Sequence, residues 1–230
     1  MTDKPSSQPG DQHVVAIDGP SGSGKSTVAR GLAERLGYTY LDTGAMYRAV
    51  TWHFLSKGIG PESGVVAVEG ALARLRLALN ERGKVEIDNE DVSDNLRTRE
   101  VEANVSGVSA MPRVREMMRG LQRSIAGAGP LVAEGRDMGS VVFPRARWKF
   151  YLDAEPEERA RRRHGEYVER GRGVTQQEIQ DEIQQRDRLD SAREDAPLTR
   201  AEGAVVIDTT HASAERIIAD LLEIVRRDLD

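Results

Sequence analysis

A glycine-rich segment near residue 20 has the residue types and spacing that bind phosphate groups. It reads Gly19-Pro-Ser-Gly-Ser-Gly-Lys-Ser26 and fits the phosphate-loop pattern G-x-x-x-x-G-K-[ST]. Glycines let the backbone curl so that its N–H groups point at phosphate oxygens, while the lysine reaches the β and γ phosphates and the hydroxyl binds Mg²⁺. We predict a nucleotide site with Lys25 as a catalytic residue and Ser26 as the metal ligand. Its residues are Gly19, Pro20, Ser21, Gly22, Ser23, Gly24, Lys25, Ser26 and Thr27.

The phosphate-loop pattern is specific only between a strand and a helix, and the flanking sequence predicts both. Residues 13–18 are a short apolar run that is typical of a buried parallel strand. Residues 25–36 carry apolar side chains at helical spacing, and Gly37 follows as a cap. GTPases, motor ATPases and small kinases all use this loop, so the loop alone leaves the reaction open.

The remaining elements predict an α/β fold. Further strands are predicted at 38–41, 131–133, 148–152 and 204–207, and helices at 45–54, within 155–194 and at 213–229. This alternation favours a P-loop NTPase-type parallel sheet flanked by helices on both faces.

Residues 61–128 have a different character and are predicted to form an inserted lobe. They read as a helical stretch over 70–79, a hairpin over 84–93 and helices over 97–107 and 113–126. The predicted organisation is a disordered tail over 1–12, a core over 13–60 and 129–230, and a mobile lid at about 155–175.

Arginines concentrate in the lid segment, at positions 159, 161, 162, 163, 170 and 172. Phosphoryl transfer between two anions needs several cations, and arginine supplies a permanently charged fork for phosphate. The alternative is a solvated helix face with ion pairs to Glu155, Glu158 and Glu166. Together with the phosphate loop, the cluster favours transfer chemistry.

Other candidate residues follow predicted strands. Arg48 comes after Gly44, and Arg136 with Asp137 follows an apolar strand, where α/β sheets bind ligands. Asp18 and Glu134 also close strands near the loop. Either carboxylate fits two interpretations, ordering Mg²⁺ through water or capping a turn.

Three segments together resemble bacterial cytidylate kinase, and the resemblance covers nearly the whole chain. They are Leu41-Asp-Thr-Gly-Ala-Met-Tyr-Arg48, Pro112-Arg-Val-Arg-Glu116 and Glu134-Gly-Arg-Asp-Met-Gly139. The resemblance implies the reaction ATP + CMP = ADP + CDP, with dCMP as a further acceptor and Mg²⁺ as cofactor. It also implies that the lobe at 61–128 is an enlarged monophosphate-binding region.

The same resemblance assigns roles to individual residues. Thr43, Arg48, Arg136 and Arg193 would surround the acceptor phosphate, and Ser106, Arg115 and Asp137 would face cytosine. Arg186 and Asp190 would contact the ribose. Lid arginines would act on the transferring phosphate, with Arg162 and Arg163 as closer matches than Arg159. The predicted catalytic residues are therefore Lys25, Arg136, Arg162 and Arg163.

Composition narrows the functional classes. A formal net charge of −5 disfavours the broad positive surface that nucleic-acid binding requires. The sequence has no cysteine, no apolar leader and no membrane-spanning run, which fits a cytoplasmic enzyme. Other small-molecule kinases and a GTP-driven switch are the alternatives, although no Asn-Lys-x-Asp segment is present. We expect a monomer that binds small nucleotides.

Overall fold

The computed structural model describes residues 9–80, 83–169, 171 and 173–229. The tail predicted over 1–12 lies mostly outside these residues, and its end belongs to a 3₁₀ turn, Pro9–His13. Arg170 and Arg172 of the arginine-rich segment also lie outside them. The strands are β1 (Val14–Asp18), β2 (Thr39–Asp42), β3 (Leu77–Leu79), β4 (Val85–Ile87), β5 (Glu90–Asp91), β6 (Leu131–Gly135), β7 (Trp148–Asp153) and β8 (Val205–Asp208).

Eight α-helices lie in the described part of the chain. They are α1 (Lys25–Leu36), α2 (Thr43–Leu55), α3 (Val65–Leu72), α4 (Arg99–Ala110), α5 (Pro112–Ala126), α6 (Pro156–Glu169), α7 (Gln176–Ser191) and α8 (Ala214–Arg227). Among the described residues, no helix combines the length and apolar character needed to cross a membrane.

The central sheet has five parallel strands in the order β2-β6-β1-β7-β8. All five residues of β1 are buried, because successive side chains point to opposite faces and both faces are covered. Val15 and Ile17 share one hydrophobic cluster with α1 and α8. Val14 and Ala16 share another cluster with α2, α4 and α5. The predicted fold class is therefore confirmed.

Residues 61–128 share their hydrophobic core with the sheet. Val105, Val108 and Met118 belong to the same cluster of buried side chains as Ala16 and Met46. The division of the chain at residues 61 and 128 stays a prediction.

The helix predicted over 70–79 is wrong in its position. The helix α3 ends at Leu72, and Leu77 and Leu79 form β3 by pairing with Ile87 and Val85 of β4. A cross-strand partner thus overrides the local helical pattern. The hairpin predicted over 84–93 is confirmed as β4 and β5, whose turn residues Asp88 and Asn89 have φ of 54° and 67°.

The parallel strands end at one edge of the sheet, and three of the segments that follow them carry the candidate site. The phosphate loop follows β1, α2 follows β2, and residues 136–142 follow β6 as a turn that includes a π-helical stretch. α6 and α7 pack against each other through Ala160, Tyr167, Ile179 and Ile183. Because α6 follows β7, the arginine-rich segment also begins at this edge.

Candidate active site

The phosphate loop has the backbone geometry that its glycines permit. Gly22 and Gly24 have φ of 79° and 85°, in the left-handed region that favours glycine. A Cβ on Gly19 would lie 2.0 Å from the carbonyl oxygen of Leu152, so only glycine fits there. Lys25 Nζ donates to the Pro20 carbonyl at 2.5 Å and to Ser23 Oγ at 3.3 Å. The ammonium group therefore lies inside the loop.

Burial decides the protonation of Lys25. Loss of solvation, and then repulsion by Arg136, lowers the pKa of Lys25 to about 7, although Glu134 acts in the opposite direction. An anion bound at the loop would restore the charged form. Binding of a phosphate should therefore raise the pKa of Lys25, so that the amine gains a proton.

One cleft of about 280 Å³ collects most of the predicted site residues. Those that line it are Ser21, Gly22, Gly24, Lys25, Ser26, Thr27, Thr43, Arg48, Arg115, Arg136, Asp137, Arg162, Arg163, Arg186, Asp190 and Arg193. Ser106 instead lines a neighbouring cavity of about 630 Å³. Ser109, one helical turn later on α4, lines the cleft.

A group of buried arginines gives the cleft a high positive charge. Burial lowers the pKa of Arg48 well below its usual value, and Arg97, Arg186 and Arg163 lower it further. Burial and Arg136 lower the pKa of Arg186 to about 10. The Nε atoms of Arg48 and Arg186 are buried and have no hydrogen-bond partner. Such like-charged, undersatisfied donors fit a multiply charged anion such as phosphate.

Asp190 is the carboxylate that holds three of these arginines together. It accepts from Arg136 Nε at 3.0 Å and from Arg193 Nη2 at 2.5 Å, and lies 4.0 Å from Arg186 Nε. Burial would raise its pKa, but Arg136, Arg193 and Arg186 hold the pKa of Asp190 below its usual value. Asp190 is therefore ionised and orients cations in the cleft.

Arg115 and Asp137 form a second, separate ion pair. Arg115 Nη2 donates to Asp137 Oδ2 at 2.5 Å, and Nη1 donates to the Ser109 carbonyl at 3.3 Å. The Arg115 guanidinium also lies 5.9 Å from the centre of the Tyr47 ring. The acid next to Arg136 in sequence thus pairs with a different arginine, because Arg136 turns toward Asp190.

The two carboxylates proposed for Mg²⁺ have different surroundings. Both oxygens of Asp18 accept backbone N–H groups, from Met138 at 2.8 Å and Gly139 at 2.7 Å, so Asp18 caps the turn after β6. Glu134 lines the cleft and accepts from Tyr40 Oη at 2.6 Å. Burial and Asp42 raise the pKa of Glu134 against the opposing effect of Lys25 and the Ser26 hydroxyl. The Ser26 hydroxyl and the Glu134 carboxylate both lie at the cleft and are oxygen donors, the ligand type that Mg²⁺ prefers.

Two of the four arginines of α6, Arg162 and Arg163, line the cleft. Arg162 donates to the Thr209 carbonyl at 2.5 Å and to Glu158 at 2.8 Å, and Arg163 pairs with Glu102 and with Glu166.

The other two arginines of α6 lie outside the cleft lining. Arg159 is buried and binds the Ser21 carbonyl at 3.1 Å and Asp187, so it braces the phosphate loop. Arg161 is 67% exposed and pairs with Glu158, as the alternative of a solvated helix face predicted.

Comparison with known proteins identifies the family. The family model described as "Cytidylate kinase" matches residues 15–227. The chain belongs to the cytidylate kinase family. It is 46% identical to a cytidylate kinase of Carboxydothermus hydrogenoformans, over 94% of this chain and 98% of the relative. It is 44% identical to the one of Mycobacterium leprae, over 93% of this chain and 96% of the relative. The resemblance inferred from three short segments is confirmed.

Several cleft residues of this family member are not evident from its sequence. Arg97, Tyr47 and Ser109 line the cleft, Glu102 pairs with Arg163 of the cleft, and Asp187 pairs with Arg159 behind the phosphate loop. Tyr47 lies inside a recognised segment, and Ser109 lies one turn from the predicted Ser106, so both had a local signal. Glu102 and Asp187 act on residues 61 and 28 positions away, a relation that only the fold reveals.

Proposed function

We propose that this protein transfers the γ-phosphoryl group of ATP to CMP, and also to dCMP, to give ADP and the cytidine diphosphate. One observation carries the proposal: a single cleft is lined both by Lys25 and Ser26 of the phosphate loop and by a buried arginine cluster. Two anions can therefore meet there. The names of its relatives support CMP as the acceptor.

The proposed transfer is direct. An oxygen of the acceptor phosphate forms a bond to the γ-phosphorus, while the bond from that phosphorus to the β–γ bridging oxygen breaks and ADP leaves with the electron pair. The acceptor phosphate is already ionised at neutral pH, so no general base is required. Positioning and charge stabilisation by Lys25, Arg136, Arg162 and Arg163 supply the catalysis.

The donor set near the loop fits Mg²⁺. Ser26 would bind it directly and Glu134 through water, whereas Asp18 is engaged by the backbone of residues 138–139. When bound, Mg²⁺ would offset negative charge on the β and γ phosphates.

Recognition of the acceptor would be divided along the cleft. Arg48, Arg136, Arg193 and Thr43 would hold its phosphate, with Arg186 at the ribose, and Asp190 would orient the arginines that it pairs with. Arg115 and Asp137 would read cytosine, with the hydroxyl of Ser106 or of Ser109. Cytosine offers an amino donor beside two acceptors, which an acid and a guanidinium can match.

A coupled assay of ADP release across AMP, CMP, GMP and UMP tests the proposal. We expect CMP to exceed each of the others in kcat/KM by at least about tenfold, since 1.4 kcal/mol of discrimination corresponds to that factor. The Lys25→Ala variant serves as the control for contaminating kinase activity. Preference for another monophosphate, or ADP release that no monophosphate stimulates, would refute the proposed function.

A further inference from the structure

Glu102, on α4, is a buried carboxylate that the proposed mechanism does not use. The residue is only 8% exposed. It accepts hydrogen bonds from Arg163 Nη2 and from the Tyr167 hydroxyl, both on α6. Arg97 Nη1 lies 3.8 Å from its Oε1. Glu102 therefore joins the predicted acceptor lobe to the predicted lid.

The contact between Glu102 and Arg163 is a true ion pair. Burial by itself would raise the pKa of Glu102, but Arg163 and the Tyr167 hydroxyl hold that pKa below its usual value. Burial would lower the pKa of Arg163, but Glu102 and Glu166 hold it above its usual value. A buried pair of this kind contributes little net stability, so its position is the more informative property.

Arg163 reaches the cleft while it is held by its partners. Its Nη1 donates to Glu166 at 2.7 Å, and its guanidinium lies 5.0 Å from the centre of the Tyr167 ring. Arg163 also lines the same cleft as Lys25. A guanidinium has five N–H donors in a rigid fork, so two carboxylate partners leave donors for a phosphate.

We propose that Glu102 is a positioning residue that holds the Arg163 guanidinium at the cleft in the orientation needed by the transferring phosphate. The inference rests on the proposed function, in which Arg163 stabilises that phosphate. Because the carboxylate belongs to α4 and the arginine to α6, the acceptor-binding lobe sets the position of a lid cation. Glu102 itself is not among the residues that line the cleft.

The Glu102→Gln variant tests this role, because glutamine keeps the shape and one acceptor but loses the charge. With saturating ATP we expect kcat for CMP to fall at least about tenfold, or about 1.4 kcal/mol in the barrier. The KM for CMP should change by less than about threefold, since the lost contact serves the transition state. Glu166→Gln is the matched control, because it removes the charge of the second carboxylate that pairs with the Arg163 guanidinium. Glu166 is 45% exposed, so this variant should lower kcat much less.

A double-mutant cycle separates positioning from stability. In an Arg163→Ala background, Glu102→Gln should not lower kcat further, because the group that Glu102 orients is gone. An additive loss, or a rise in kcat of Glu102→Gln, would overturn the inference. Wild-type kcat in Arg163→Ala would refute the assigned role of Arg163 in the proposed function. Unchanged kcat in Glu102→Gln with impaired Arg163→Ala would refute only the role of Glu102.

The conservative variant Glu102→Asp keeps the experiment decisive if Glu102→Gln does not fold. Aspartate retains the charge, but its side chain is one methylene group shorter, so the carboxylate lies farther from Arg163. We expect a lower kcat with an unchanged KM for CMP and an unchanged Tm. A lower Tm with wild-type kcat would show that Glu102 serves stability alone.

Discussion

Arg115 and Asp137 line the cleft as a buried ion pair whose Nη2 and Oδ2 atoms are 2.5 Å apart. Arg115 is only 1% exposed, and burial raises the pKa of Asp137 although Arg115 opposes that rise. The two groups that would read the base are therefore fixed against each other before a ligand enters. A change in either one should affect the orientation of the other.

Asp137→Asn should narrow the preference for CMP over UMP. In UMP, the O4 of uracil would face the Asp137 carboxylate, and both groups are hydrogen-bond acceptors. A buried polar group without a hydrogen-bond partner costs about 1–3 kcal/mol. The amide can turn its donor toward O4, so the ratio of kcat/KM values should fall from at least about tenfold toward unity. Both rates should also fall, because Arg115 loses its charged partner.

Asp195→Asn is the matched control for this ratio. Its carboxylate lies 3.5 Å from Arg115 Nε and binds Arg119 at 2.7 Å, so it changes the charge near the same guanidinium. We expect the CMP to UMP ratio to stay at the wild-type value. If Asp137→Asn also keeps that ratio with an intact fold, Asp137 does not read the base.

Asp190→Ala should impair all cytidine acceptors alike. Its oxygens bind Arg136 and Arg193, so its removal leaves buried arginines unpaired, which typically costs about 3–5 kcal/mol. Tm should fall, and kcat/KM should fall by similar factors for CMP, dCMP and arabinosyl-CMP. Asp181→Ala on the exposed face of α7 should change neither quantity. A loss that depends on the sugar hydroxyls would instead assign Asp190 to the ribose.

Lys25→Ala should nearly abolish transfer and leave the fold intact. The ammonium stabilises the negative charge that moves between the β and γ phosphates during transfer. Loss of such a group lowers kcat by a factor of about 10²–10³. Because the native state lowers the pKa of Lys25 to about 7, below its unfolded value, burial of this amine costs stability at any pH below the unfolded pKa. The circular dichroism spectrum should match the wild type, and the Tm at pH 8 should not fall below it. Wild-type kcat at saturating ATP would contradict the assignment of the phosphate loop.

ATP binding at pH 8 should take up close to one proton at Lys25. The free protein holds the pKa of Lys25 at about 7, so the amine is mostly neutral at that pH, and the phosphates raise the pKa again. Calorimetry in buffers of different ionisation enthalpy measures the uptake. It should disappear in Lys25→Met. Uptake that persists in that variant would belong to another group, such as Glu134.

Arg162→Ala should reduce kcat much more than it weakens CMP binding. Arg162 lines the cleft and is bound to the Thr209 carbonyl, a neutral acceptor that a phosphate can replace. We expect a loss of about tenfold to a hundredfold in kcat, because the contact forms mainly with the transferring group. Arg161→Ala is the control, since Arg161 shares the partner Glu158 but is exposed. A change confined to the KM for CMP would contradict this role.

The sequence by itself determined the loop and the sheet. A phosphate loop is contiguous, and its glycines and lysine act through the local backbone, so eight residues suffice to predict it. Apolar runs predicted the five parallel strands, most clearly β1 and β6, which are buried on both faces and therefore mostly apolar. The strand β3 was missed, since three residues carry too little periodicity and its pairing partner Val85 lies six positions beyond Leu79.

Only the tertiary structure decided the partners of the charged residues. The family resemblance assigned Asp137 to cytosine and Asp190 to the ribose but gave no ion-pair partner for either, and the fold pairs Asp137 with Arg115 and Asp190 with Arg136 and Arg193. It also separated Asp18, which caps a turn, from Glu134, which lines the cleft. Ion pairs depend on distances between elements that are remote in sequence, and residue types do not encode those distances.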